Sequence, residues 1–177
     1  MSARRVGLYW ICFGVLTAYY VIVLREPAGQ AAAHLTRAAF LDVSEDRIDG
    51  LELRRGEARL RCRRIAGRWQ VVEPAGSTAP PDLVAALVDN LTSLPNVEVV
   101  AENGENLAQF GLDPPVSQLV LSARRRRPIT VRLGSRNPAG TAVYAQRDDS
   151  ARVFLIGLSI RYYEDLLFEA VRPRRTT

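Results

Sequence analysis

Residues 48–71 read I-D-G-L-E-L-R-R-G-E-A-R-L-R-C-R-R-I-A-G-R-W-Q-V. Ile48, Leu51 and Leu53, then Leu60, Cys62 and Ile65, then Trp69 and Val71 carry the apolar side chains, and Arg59, Arg61 and Arg63 fall between them. A period of two marks a half-buried strand, because successive side chains leave a strand on opposite faces. Glycines at 50, 56 and 67 break the pattern into short runs, which predicts a small antiparallel meander with turns at those glycines. The arginines then form the solvent face of a sheet whose other face is packed.

Downstream, residues 74–81 read as a loop. Asp82 is placed to cap a helix in which Leu83, Val84, Leu87, Val88, Leu91 and Leu94 recur at helical spacing, and Pro95 ends it. Val97, Val99 and Val100 form a short strand. Leu107 to Phe110 reads as one helical turn stopped by Gly111. Four more strands are predicted at 116–122, 129–133, 141–146 and 152–156, with turns at 124–128, 134–140 and 148–150. A last amphipathic helix carries Leu158, Ile160, Tyr163, Leu166, Leu167 and Val171. Strands, helix, strands, helix is an α+β order, with antiparallel β-meanders covered on one side by two amphipathic helices. Each half is a meander followed by a helix, which leaves a diverged repeat open.

Before this domain, placed at 38–172, residues 6–24 run for 19 positions without a charge, Asn, Gln or Pro. As a helix at ~1.5 Å per residue, such a run covers roughly one hydrocarbon core. Tyr9, Trp10, Tyr19 and Tyr20 lie toward its ends, where amphipathic rings favour the interface. The reading is a single transmembrane anchor over 6–24, a cytoplasmic N-terminus over 1–5, a linker over 25–37 and a polar tail over 173–177. Arg4 and Arg5 precede the run, while Arg25 and Glu26 cancel after it, so the positive-inside bias puts the domain outside the cytoplasmic membrane, periplasmic or at the cell surface. The rival is a cleaved signal peptide, with Ala31-Ala32-Ala33 as a cleavage site. Both readings export the domain.

The net charge of +5 raises nucleic acid, anionic lipid or an acidic polymer as partners. All 24 basic residues are arginine, with no lysine, which resembles a coding bias more than a selected binding surface. Arg4 and Arg5 act as topology signals, leaving 22 arginines against 19 acidic residues in the exported part. No aromatic interleaving or nucleic-acid motif accompanies them, so no nucleic acid partner is expected.

Two cysteines, Cys12 and Cys62, and one histidine, His34, have no metal-ligand spacing, so neither a metal nor a cofactor is expected. A nucleophile–base device would have to use His34, which lies in the linker. Glu102, Glu105 and Asp113 are carboxylates near turns with no spacing that fixes a pair. Gly134 to Gly140 lacks the phosphate-loop pattern and reads as a hairpin loop. Trp69 reads as a packing residue. Arg124, Arg125, Arg126 and Arg127 form the most basic run, read either as a contact for anionic ligands or as a solvated hairpin turn.

G-L-D-P-P at 111–115 (Gly111, Leu112, Asp113, Pro114, Pro115), followed by Leu133-Gly134 and Val143-Tyr144-Ala145, resembles a bacterial family called domain of unknown function 4340 (DUF4340). G-R-W-Q-V at 67–71 with Trp69, Asp82 at the head of the Leu-rich helix, and Val99 to Glu102 also fit. The likeness covers about 40–172. It implies a membrane-anchored extracytoplasmic protein, in some members encoded beside ABC-transporter components of the gliding-motility auxiliary type. No catalytic residues are established for that family, so the resemblance assigns none.

The leading expectation is a non-enzymatic, single-pass accessory or assembly protein with a protein partner in the membrane, such as ABC transporter subunits. The alternative is an envelope module for anionic lipid or acidic polymer, using Arg124–Arg127 with Arg54, Arg55 and Arg59. A third is a hydrolase with an unrecognised site, which would need a deep pocket lined by perturbed carboxylates.

Overall fold

Three antiparallel strands open the domain: β1 (Ile48–Arg55), β2 (Ala58–Ile65) and β3 (Arg68–Glu73). Helix α1 (Pro81–Thr92) and β4 (Glu98–Ala101) follow, then a second set, β5 (Ser117–Ala123), β6 (Ile129–Arg136), β7 (Ala142–Arg147) and β8 (Val153–Gly157), and finally helix α2 (Ser159–Ala170). This computed structural model describes residues 40–94, 97–124 and 126–172. The apolar run at 6–24, the linker at 25–37, Arg125 and the tail at 173–177 lie outside the described residues. Among those described, no helix is long and apolar enough to cross a membrane.

The strands form one eight-stranded sheet in the order β3-β2-β1-β5-β6-β7-β8-β4, antiparallel at every junction. The two meanders are therefore fused, with β1 paired to β5 through Leu51–Leu121 and Leu53–Leu119. Helix α1 and the residues after it carry the chain from β3 at one edge to β4 at the other.

Alternation is regular along β2, β3 and β5. Leu51, Leu53, Leu60, Cys62, Trp69, Leu119, Leu121, Val131, Leu133, Val143 and Ala145 are all buried in one core. Helix α1 adds Val84, Leu87, Val88 and Leu91, and α2 adds Ile160, Leu167 and Phe168. The helices pack on each other and on this face, where Ser159 Oγ lies 2.9 Å from Asn90 Oδ1. Phe40 closes the same core, edge-on to Phe154 at 5.4 Å between ring centres.

Three details differ from the sequence reading. Gly50 is not a turn but lies inside β1 beside a bulge, where the register slips between Ile48 and Gly50. Asp82 is not the helix cap. Proline lacks the N–H that a first-turn residue leaves unpaired, so Pro81 starts the helix, two residues before the start an Asp82 cap would give. Asp82 sits exposed in the first turn, where its charge complements the helix dipole. Gly134 belongs to β6, which continues to Arg136, and the hairpin loop is confined to Asn137 and its neighbours. There Asn137 Oδ1 accepts from the Thr141 and Ala142 amides at 2.9 and 3.1 Å.

Leu121 faces Leu51 at the centre of the fusion and is fully buried. Leu121→Ala should cost about 2–5 kcal/mol, the usual penalty for a large-to-small core change. Denaturant unfolding checks this, and a single transition with an unchanged slope is expected because both meanders share one core.

Candidate functional site

The segment 111–115 is a closure of the sheet. Helices cover one face, and residues 102–116 cover part of the other. A 3₁₀ turn at Leu107–Phe110 ends in Gly111, whose φ of +66° is left-handed. A side chain at 111 would also meet the Ser135 backbone nitrogen at 2.8 Å. Leu112 follows, buried against Gly134, and bridges to Pro115 across a cis Asp113–Pro114 bond. The Val116 amide then donates to Leu133 O at 2.9 Å and leads into β5. Gly134 sits beneath this turn so closely that a Cβ there would lie 2.1 Å from the Phe110 carbonyl oxygen. Ser135 Oγ donates to that same oxygen at 3.1 Å. The Phe110 ring packs on Tyr144 at 4.9 Å between centres.

On the opposite side of Gly134 lies a buried ionic network. Arg161, in the first turn of α2, donates from Nη2 to Gly134 O at 2.9 Å and from Nη1 to Ser117 Oγ and Glu164 Oε2, both at 3.0 Å. Glu164 is fully buried and also pairs with Arg55 at 3.1 Å. Arg55 reaches Asp165 at 2.6 Å, and its guanidinium lies 4.9 Å from the Phe168 ring centre. Burial pushes the Arg161 pKa down, and Glu164 opposes that shift. Burial acts the same way on Arg55, but Glu164 and Asp165 outweigh it and raise the value.

Within the basic turn after β5, Arg126 is bonded to its own chain and Arg124 lies near Asp49 in solvent. Arg124 lies 3.6 Å from Asp49, and Arg126 Nη1 donates to Asp42 O at 2.8 Å. Arg147 nearby donates to Phe40 O at 2.6 Å and pairs with Asp149. These arginines tie down the segment that enters the domain. Arg126 and Arg127 line a groove of about 490 Å³, opposite Asp42, Asp148 and Asp149.

The other arginines split between two faces. Arg54, Arg59 and Arg61 surround Glu52 on the face away from the helices, and Arg59 and Arg61 also approach Glu73 at 3.9 and 3.6 Å. Partial burial works against the Glu52 charge, yet the three guanidinium groups win and hold its pKa at about 2. Arg55 points the opposite way, into the network under α2. The Arg124–Arg127 turn, Arg54, Arg55 and Arg59 therefore do not form one surface.

The family model described as Domain of unknown function (DUF4340) matches residues 69–174, more than half of the chain. The chain belongs to the DUF4340 family. Comparisons with curated proteins and with solved structures gave no match. In this DUF4340 domain the motif residues Gly111, Leu112, Pro115, Gly134 and Tyr144 meet at one closure, with Asp113 and Pro114 exposed at its rim. Trp69 and Asp82 stand apart from it. Trp69 is a core residue whose indole Nε1 lacks a hydrogen-bond partner among the described residues, and the Arg64 guanidinium lies 5.2 Å from its ring centre. Cys62 is buried, which pushes its thiol up to about 11 and leaves it unreactive at neutral pH. Glu102 pairs with Arg152 at 2.8 Å. Among the described residues no three His, Cys, Asp or Glu side chains gather as a metal site.

Sequence reasoning missed the Arg55–Glu164–Arg161 network. A signal was present: Glu164 occupies the position between Ile160 and Leu167 on the apolar stripe of α2. A carboxylate at that spacing must be paired when buried.

Gly134→Ala should destabilise the domain by about 1–3 kcal/mol, because the clash is with backbone and not with a movable side chain. Protease cleavage within 102–116 should accelerate in that variant, while cleavage elsewhere changes less. Glu52 sets a pH dependence. A carboxylate held at about 2 against its ordinary 4.5 contributes stability that is fully present above 4.5 and lost as pH falls toward 2. The stability difference between the parent and Glu52→Gln, measured by urea unfolding, should shrink across that window.

Proposed function

We propose that this DUF4340 protein is a single-pass anchored accessory or assembly protein whose α+β domain works outside the cytoplasmic membrane, without catalysis, beside a membrane protein partner. The observation that carries it is the apolar run at 6–24, preceded by Arg4 and Arg5 and long enough to span as one helix. Family membership supports the partner class, since the resemblance implies an association with ABC-type transport of the gliding-motility auxiliary kind. The architecture supports a scaffold role: a fused sheet on one core, with its distinctive motif spent on closing that sheet. The two meanders, β1–β3 and β5–β8, each followed by a helix and joined through their first strands, also support origin as a diverged repeat.

The alternative, anionic lipid or acidic polymer at the Arg124–Arg127 turn, draws on exposed Arg127. Arg126 counts against it, because the Asp42 carbonyl already holds it.

The expected behaviour is direct. The full chain should stay in the membrane pellet after alkaline carbonate washing, and a variant lacking 6–24 should not. Protease added outside spheroplasts should digest the domain. Affinity purification in mild detergent should bring ATPase and permease subunits with it. Recovery of the chain alone from several mild detergents would remove the assembly role.

A further inference from the structure

The face away from the helices is covered over only half its width. Over β6–β8, residues 102–116 seat Leu112 and the Phe110 carbonyl on Gly134, and the Phe110 ring on Tyr144. Over β1–β3 and β5 no described segment lies. There, Gly50 and Ser122 are paired neighbours on adjacent strands, and a groove of about 590 Å³ has Gly50, Ser122, Val72 and Val120 along it and Arg61, Arg63 and Glu52 beside them. Val72 is 39% exposed there.

The charge of this face is one-sided. Arg54, Arg59, Arg61, Arg63, Arg68 and Arg132 alternate outward on it, and Glu52 and Glu73 are the carboxylates within ion-pair reach of them. Arg63, Arg68 and Arg132 have no carboxylate partner among the described residues, although Arg132 donates to Gln146 at 3.4 Å. Glu52 does not cancel the face; it gathers Arg54, Arg59 and Arg61 into fixed positions. The other half of the same face is covered by a polypeptide segment, with Leu112 and the Phe110 carbonyl over Gly134 and the Phe110 ring on Tyr144. A concave floor with valines and a basic rim suits a peptide better than a flat lipid surface.

We infer that the bare half of the sheet, β1–β3 with β5, docks an acidic, extended polypeptide segment of another protein. Apolar side chains of that segment would enter the groove over Gly50 and Ser122, and its carboxylates would meet Arg63 and Arg68. The inference rests on the assembly reading for the existence of a protein partner and adds the partner's chemistry.

The test uses the full chain in nanodiscs of zwitterionic lipid. The probe is a synthetic peptide of alternating Glu and Val, roughly the length of two strands. Saturable binding is expected, weakening about tenfold or more between low and physiological salt as exposed charges are screened. Arg63→Glu, which breaks no ion pair, should weaken it about tenfold, and Arg127→Glu should leave it within about twofold. Circular dichroism and thermal unfolding confirm that both variants fold, and Arg68→Glu gives a second reading of the same face. Absence of peptide binding at low salt overturns the inference. So does parent-like binding by both Arg63→Glu and Arg68→Glu, or binding of anionic phosphatidylglycerol vesicles in place of the peptide. These outcomes are separable from the assembly test. Transporter subunits recovered equally by parent and Arg63→Glu reject the surface alone, and a chain that purifies alone yet binds the peptide at this face rejects only the transporter partner.

Discussion

The pairing of β1 with β5 is the constraint on which the rest depends. The first meander has three strands and the second four, each with one apolar face that must be covered. Setting Leu51 and Leu53 opposite Leu121 and Leu119 merges the two faces into one surface wide enough for both helices. Because β1 and β5 lie far apart in the chain, the join carries a loop-closure cost that only the shared core offsets. Helix α1 then serves two purposes. It covers the core, and it carries the chain across to place β4 on the far edge beside β8.

The fused sheet has unequal cover. The helices, with Phe40 and Leu41, cover the core face, and the other is covered only where the G-L-D-P-P segment folds over β6–β8. Gly134 is the hinge point of that arrangement. Its missing side chain lets the Phe110 carbonyl approach from one side, and its own carbonyl accepts from Arg161 on the other. The motif closure and the buried ionic network are thus linked through a single residue. Removing either partner of the Arg161–Glu164 pair would strand a buried charge, which is far more costly than losing a surface pair. The bare half has no such closure, and its arginines are arranged around Glu52 and left in solvent.

Much of this was legible. Period-two alternation at 48–71 marks the strands and assigns Arg59, Arg61 and Arg63 to the polar face, where they lie. The spacing of Val84, Leu87, Val88 and Leu91 marks α1 and its buried side. What sequence could not carry is partner choice between distant strands: nothing in 48–55 points to 117–123, because alternation is the same for any antiparallel neighbour. Local chemistry misled in two places. Gly50 looks like a turn but sits at a bulge, and Asp82 looks like a cap although Pro81 already starts the helix. Arg55 shows the remaining limit. It reads as one more surface arginine, yet its parity with Leu51 and Leu53 places it on the core face, under α2. The G-L-D-P-P residues were legible as a motif, but their contact with Gly134 and Tyr144 is tertiary and has no local signal.

Amide hydrogen exchange on the full chain, resolved by peptide fragments, tests the fusion most directly. If β1 and β5 share one core, the amides of 48–65 and 117–136 should exchange together, only through global unfolding, with α1 and α2 close behind. Faster exchange throughout 48–73, as a unit opening independently of 117–157, would contradict it. The two meanders would then be separate modules in contact, and the bare arginine face would lose the rigid sheet that holds it in place.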